Sequence, residues 1–138
     1  DFAPCVKVCC VDGTETGLAF HGVPGGHEFS SFVLGIYNAF GPGQPIPDKT
    51  RERIQAISKP TDIKVLVSLS CTMCPDTVIS AQHIAAKNKN ITAEIYDIHH
   101  FEKIRQKYNV MSVPCILIND ADVSFGKKNI EQILELIR

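Results

Sequence analysis

Four residues, Cys71-Thr72-Met73-Cys74, constrain this 138-residue chain more than any other feature. They follow an apolar run, Ile63-Lys64-Val65-Leu66-Val67-Ser68-Leu69, and precede a stretch of helical character from Pro75 to Lys87. The chain must therefore hold two thiols where a strand turns into a helix. Two intervening residues let the second sulfur reach the first. A thiolate is the nucleophile of disulfide exchange. Free N–H groups and the macrodipole at a helix start favour negative charge, so Cys71 is predicted to be the low-pKa attacking thiol. Cys74 is then the resolving thiol, and Thr72 and Met73 should tune the potential. Dithiol pairs of this kind span about -270 to -120 mV. Downstream, Val113-Pro114 opens another apolar run, Cys115 to Ile118. X-Pro bonds are cis in only about 5–6% of folded cases. With the dithiol upstream, a cis bond at Pro114 is expected, turning the Val113 backbone toward the thiols to pair with an extended substrate.

A lone pair of cysteines also suits zinc, as half of a four-thiolate site. Cys9 and Cys10 are the other close pair, but adjacent strand residues point to opposite faces. None of the five histidines has convincing metal spacing. Six cysteines at 5, 9, 10, 71, 74 and 115 do not read as a secreted disulfide framework, because four fall in or beside predicted buried strands. A reducing cytoplasm with one redox-active pair fits better. Cys115 is expected to be an inert core thiol, and Cys5, Cys9 and Cys10 core or edge residues.

Fourteen basic against fifteen acidic residues, without a basic stripe, argue against nucleic acid. No apolar run has the length of a membrane span, and the opening Asp1-Phe2-Ala3-Pro4, with neither a basic n-region nor an apolar h-region, does not read as a signal peptide. The missing initiator Met and the near-immediate opening into a strand suggest an excised domain or processed fragment, although Met removal alone would also explain the missing Met. With 44% hydrophobic residues the chain can bury one real core.

Cys5 to Val11 reads as a strand and Leu18 to Phe20 as its hairpin partner, turning at Asp12-Gly13. His27 to Ala39 reads as a helix with Phe29, Phe32, Val33 and Ile36 on its inward face. The segment 41–61 holds a Gly/Pro-rich linker and a short helix capped by Asp48, running to Ser58 with Ile54 and Ile57 inward. Strands follow at 62–69 and 91–98, then a helix at 99–108 starting at a surface His99-His100 pair. Strands at 115–118 and 123–125 and a helix at 129–137 complete the chain. Residues 62–138 thus give β-α-β, α, β-β-α, the order of a thioredoxin-like α/β fold with a mixed sheet and helices on both faces. Residues 1–40 give a β-β-α half of a second copy. Pro4-Cys5-Val6-Lys7-Val8 mirrors Pro114-Cys115-Ile116-Leu117-Ile118, and Phe29, Phe32, Val33 and Ile36 mirror Ile130, Ile133, Leu134 and Ile137.

Three segments carry a family resemblance: Phe20-His21-Gly22-Val23-Pro24-Gly25-Gly26-His27-Glu28-Phe29, Ser68-Leu69-Ser70-Cys71-Thr72-Met73-Cys74-Pro75-Asp76, and Met111-Ser112-Val113-Pro114. With them the chain resembles the N-terminal domain of the flavoprotein subunit of bacterial alkyl hydroperoxide reductase, through nearly its whole length. The resemblance implies two fused thioredoxin-like folds, of which only the second keeps a dithiol. It implies electron flow from a thioredoxin-reductase-like flavoprotein module, through Cys71 and Cys74, to the disulfide of a peroxiredoxin or another protein. FAD and NAD(P)H would belong to the reductase module, with no cofactor bound here. Glu28 reads from its position alone as an acid in a first helical turn. The resemblance gives it a role in the proton chemistry of Cys74. Two departures stand out. The chain starts near the third strand of the first fold, and Thr72-Met73 replace the family's common His-Asn, so potential and partner choice are expected to differ. The competing reading is a non-catalytic interaction domain or a zinc-thiolate site on the same fold.

Overall fold

The computed structural model describes residues 4–137. Six strands form one mixed sheet in the order β1-β2-β4-β3-β5-β6. The strands are β1 (Cys5–Cys9), β2 (Glu15–His21), β3 (Thr61–Val67), β4 (Ile91–Asp97), β5 (Cys115–Ile118) and β6 (Asp122–Phe125). The helices are α1 (Phe29–Phe40), α2 (Asp48–Gln55), α3 (Cys74–Lys87), α4 (Glu102–Lys107) and α5 (Ile130–Leu136), with a 3-10 turn at Gly26–Glu28 leading into α1. The thioredoxin-like fold is complete from β3 onward, and β1-β2-α1 precedes it as a β-β-α half. Strands β2, β3 and β4 run parallel, so their carboxyl ends share one edge of the sheet. Strand β5 runs antiparallel to β3 and therefore begins at that same edge. This topology brings four loops together: 22–28, 68–73, 98–101 and 109–114.

The two faces of the sheet are unequally covered. Helices α1, α2, α3 and α5 pack on one face, where Leu18, Phe20, Ile63, Val65, Ile95 and Ile116 meet Phe32, Ile54, Val78, Ile84 and Ile133. Among the described residues only α4 and its flanking loops cover the other, over Leu66, Tyr96, Cys115 and Leu117. Beside α4 that second face is polar. Lys64 pairs there with Asp62, Asp120 and Glu94, and the His21 ring stacks on Tyr96 at 4.1 Å. A cleft of about 700 Å³ opens over these residues, away from the dithiol.

Four expectations are corrected. First, β1 is not a buried strand to Val11. It is an edge strand that pairs only with β2, bulges at Val8/Cys9 and ends there. Only Val8 of it is buried, while Cys5, Val6 and Cys9 are exposed and Val11 lies wholly in solvent. Second, α1 does not turn its most apolar stripe inward. Phe32 is buried, but Phe29, Val33 and Ile36 are exposed, as are Tyr37 and Phe40. The buried face is Ser31, Phe32, Gly35 and Asn38, because α1 lies close against α3 through small and polar residues. A Cβ on Gly35 would sit 2.6 Å from Gln82 Nε2. The correspondence with α5 is thus one of topology and not of burial. Third, Asp48 does not cap α2. The helix begins on it after Pro47, with no side-chain cap bond, and stops at Gln55. Asp48 instead forms an exposed ion pair with Arg51. Fourth, α4 is shorter than 99–108, since a turn at 98–101 precedes it.

The remaining strands and helices lie where the sequence places them, with ends shifted by up to three residues. The helix at the dithiol starts at Cys74 with Pro75 in its first turn, where proline's missing N–H costs nothing. Helix α5 carries a capping box that the sequence reading did not single out: Asn129 accepts from Gln132 N, and Gln132 accepts from Asn129 N.

Candidate functional site

The dithiol sits at the carboxyl edge of the sheet, between the end of β3 and the start of α3. Burial divides the two thiols. Cys74 is fully buried in the main core, whereas Cys71 is partly exposed and touches the core only from outside. Both are free thiols. Cys71 Sγ lies 3.9 Å from the Val113 carbonyl oxygen, across the gap between the β3–α3 loop and the start of β5. The Val113-Pro114 bond is cis, as expected. Thr72 is exposed and Met73 half-exposed, on the rim beside Cys71. Burial pushes the Cys74 thiol far above its ordinary range. A hydrogen bond with Cys71 and the charges of Cys71 and Glu28 push it the same way, and a backbone hydrogen bond at Ser68 opposes them.

Glu28 brings a carboxyl with no solvent contact to this corner. Its position follows from the loop after β2. Gly26 adopts φ of 53°, in the left-handed region, and a Cβ there would meet the Leu69 carbonyl oxygen at 2.8 Å. Only glycine lets the turn lie this close to the dithiol loop. His27 N then donates to that same Leu69 carbonyl at 3.0 Å. The next residue, Glu28, thereby lies in the 3-10 turn that packs against α3. Its Oε1 accepts from Ser31 Oγ at 2.5 Å, and its Oε2 is buried without a hydrogen-bond partner. Burial raises the carboxyl pKa to about 7, with the Ser31 bond acting in the opposite direction.

The structure thus gathers Cys71, Cys74, Glu28, Val113 and Pro114 from three separate segments, with Thr72 and Met73 at the rim. Sequence reasoning singled out neither Ser31 nor Gln82, and quoted Ser68 only as part of the segment before the dithiol. Ser31 stands one helical turn after Glu28, a spacing too common to signal anything alone. Ser68 Oγ lies 3.1 Å from Ser70 Oγ and 3.4 Å from His99 Nε2, so His99 belongs to the rim of this edge instead of a bare helix start.

Cys9 and Cys10 lie at the other end of the sheet. The register pairs Cys9 with Glu15, whereas Cys5 aligns with His21, Tyr96 and Leu66 toward the dithiol edge. They are not placed to complete a metal site with Cys71 and Cys74. Among the described residues no group of three or more His, Cys, Asp or Glu could hold a metal ion. Cys115 is buried on the second face, and burial lifts its thiol to about 11.

A thioredoxin domain model matches residues 61–138. The chain belongs to the thioredoxin domain family. It is also homologous to the N-terminal domain of AhpF, a component of alkyl hydroperoxide reductase. It is 32% identical over 122 residues to AhpF from Staphylococcus epidermidis and 31% identical to a protein of Bacillus subtilis named NADH dehydrogenase. Each of these matches covers 88% of the chain but 24% of the relative, so the chain spans about a quarter of their length. Among solved structures it superimposes on the NTD_N/C domain of alkylhydroperoxide reductase AhpF from Enterococcus faecalis with a TM-score of 0.94 at 37% identity, covering all of this chain and 66% of that one. A protein disulfide oxidoreductase from Aeropyrum pernix matches with a TM-score of 0.87 at 26% identity, over 99% of this chain and 59% of the other. The homologues are oxidoreductases, and the shared region is the thioredoxin-like one. Among the described residues no helix is long and apolar enough to cross a membrane.

Proposed function

We propose that this is a dithiol–disulfide electron-transfer domain. It relays reducing equivalents from a thioredoxin-reductase-like flavoprotein module to the disulfide of a peroxiredoxin or another protein, in the cytoplasm. The observation that carries the reading is the asymmetry of the pair: one accessible thiol, and one buried thiol with a buried carboxyl beside it.

The chemistry follows from that asymmetry. Cys71, as thiolate, attacks one sulfur of the acceptor disulfide, and the bond between the acceptor sulfurs breaks. The first acceptor thiolate leaves and a mixed disulfide remains on Cys71. Val113 offers its backbone beside Cys71 Sγ, where an extended acceptor segment would pair, and Thr72 and Met73 line the approach. Cys74 then loses its proton to the Glu28 carboxylate and attacks Cys71 Sγ. The mixed disulfide breaks, its electron pair leaving on the second acceptor sulfur. The acceptor has gained two electrons, and Cys71 and Cys74 are joined. Without a base, burial would leave Cys74 protonated at neutral pH. The reductase module, which would carry FAD and use NAD(P)H, restores the dithiol. This chain's own residues handle only thiols and protons.

The test separates the two cysteines. With a disulfide-bonded peroxiredoxin and a reductase module supplied, Cys71→Ser should abolish transfer. Cys74→Ser should accumulate a covalent mixed disulfide visible on non-reducing gels and released by dithiothreitol. Full transfer by Cys71→Ser, or an adduct on Cys74 in the single-cysteine variants, would overturn the assignment.

A further inference from the structure

The Glu28 carboxyl is held asymmetrically. Ser31 Oγ lies 2.5 Å from Glu28 Oε1 and 3.0 Å from the Glu28 carbonyl oxygen. Ser31 is as buried as the carboxyl it touches. It is in turn fixed from α3, since Gln82 Nε2 donates to the Ser31 carbonyl at 2.8 Å and Gln82 is itself buried. Gly35, one turn on, leaves the room that the Gln82 amide occupies. A chain of contacts therefore runs from the helix that starts at Cys74, through Gln82 and Ser31, to the base that serves Cys74.

We propose that Ser31 is a positioning residue for Glu28: its hydroxyl engages Oε1 and leaves Oε2 as the oxygen that exchanges a proton with Cys74. A hydroxyl carries one proton and must choose an acceptor. Donating to Oε1 stabilises the carboxylate where no water can. It also stops the carboxyl from turning, which leaves Oε2, buried without a hydrogen-bond partner, as the oxygen free to take a proton. In the resolving step the Cys74 S–H bond breaks and an O–H bond forms at Oε2, while the Ser31 bond to Oε1 is unchanged. The freed sulfur electron pair attacks Cys71 Sγ. Of the titratable groups near this corner, Cys74 of α3 feels the charges of Glu28 and of Cys71 from the preceding loop. His27 on the same turn is exposed.

The inference rests on the role proposed for Glu28, and the experiment tells their failures apart. The full chain with Cys5, Cys9 and Cys10 changed to Ser is reacted, fully reduced, with 5,5′-dithiobis(2-nitrobenzoate) in a stopped-flow instrument. The first thionitrobenzoate release reports attack by Cys71, and the second reports resolution by Cys74. The second rate should rise with pH through a midpoint near the carboxyl's value of about 7. A hydrogen bond to a charged group is strong enough that Ser31→Ala should move the midpoint up by about one pH unit or more. The first release should not change. Ser31→Thr keeps the hydroxyl and should restore the midpoint, which a merely structural loss would not do. If Ser31→Ala does not fold, Gln82→Ala, which frees the Ser31 carbonyl, should move the midpoint in the same direction by less. An unmoved midpoint in these variants, or no rescue by Thr, overturns the inference, provided Glu28→Gln removes the pH dependence. If Glu28→Gln leaves the profile intact, the role of Glu28 itself falls, and that of Ser31 with it.

Discussion

A carboxyl without solvent contact favours its neutral form, because nothing nearby replaces the lost hydration of the charge. Glu28 has one hydroxyl on Oε1 and nothing on Oε2, so its pKa rises from 4.5 to about 7. The consequence for stability has a definite sign. Between those two values the folded chain holds a proton that the unfolded chain has released, so stability falls as pH rises through that window and is flat above it. The shift sets an upper limit of about 3 kcal/mol on this loss. Glu28→Gln keeps the shape and removes the charge. It should stabilise the protein by about 1–2 kcal/mol near pH 8 and by nearly nothing below pH 4.5, as read from urea unfolding midpoints at the two pH values. An equal gain at both would mean that packing, and not charge, separates the two residues. The expected pattern is greater stability with slower resolution, as for a group retained for chemistry at a structural cost.

At the scale of elements, what the sequence revealed depended on how local its cause was. The strand–dithiol–helix passage was legible because apolar patterning, Pro75 and the cysteine spacing all lie within one stretch. Helix α1 was legible as a helix but not in its orientation. Its strongest apolar periodicity, Phe29, Val33 and Ile36, faces outward, because the contact with α3 is set by close approach at Gly35 and by the Gln82–Ser31 bond. A polar contact between residues fifty positions apart leaves no periodic trace. For the same reason the site was legible in its thiols and not in Ser31 or Gln82. Edge strand β1 misled in the opposite sense, since its β-branched residues mark a strand but not a covered one. The α1–α3 contact makes a quantitative prediction. Replacing a helical glycine by alanine normally gains about 1 kcal/mol. Here the new Cβ would displace the Gln82 amide and break its bond to Ser31, so Gly35→Ala alone should destabilise by about 1 kcal/mol. In a Gln82→Ala background the obstacle is gone and the same change should stabilise. A double-mutant cycle measures the reversal, and additive effects would refute it.

Across the whole molecule, the sheet is the common wall of two cores. The main core holds Cys74, and the smaller one under α4 holds Cys115. Leu66 of β3 stands opposite Cys115 of β5 with Tyr96 of β4 on its other side, all facing the smaller core, while their strand neighbours Val65, Ile95 and Ile116 face the main one. Neither core can open fully while the sheet stands. Cys115 therefore reports on the entire fold although it takes no part in the proposed chemistry. In a variant with Cys71 and Cys74 changed to Ser, Cys5 and Cys9 are exposed and should be alkylated at once in native buffer. Cys115 is fully buried and its thiol is lifted to about 11, so it should react only through unfolding. Its labelling rate in urea should then rise with the same dependence on denaturant as the global transition followed by circular dichroism. Labelling well below that transition would show that α4 lifts from the sheet by itself and that the second core is a separate, weaker unit. The thin cover of that face makes this the sharper of the two places to look. Coincident curves would show that six strands, including the β1-β2 hairpin joined through the parallel β2–β4 pairing, fold as one body around the dithiol edge.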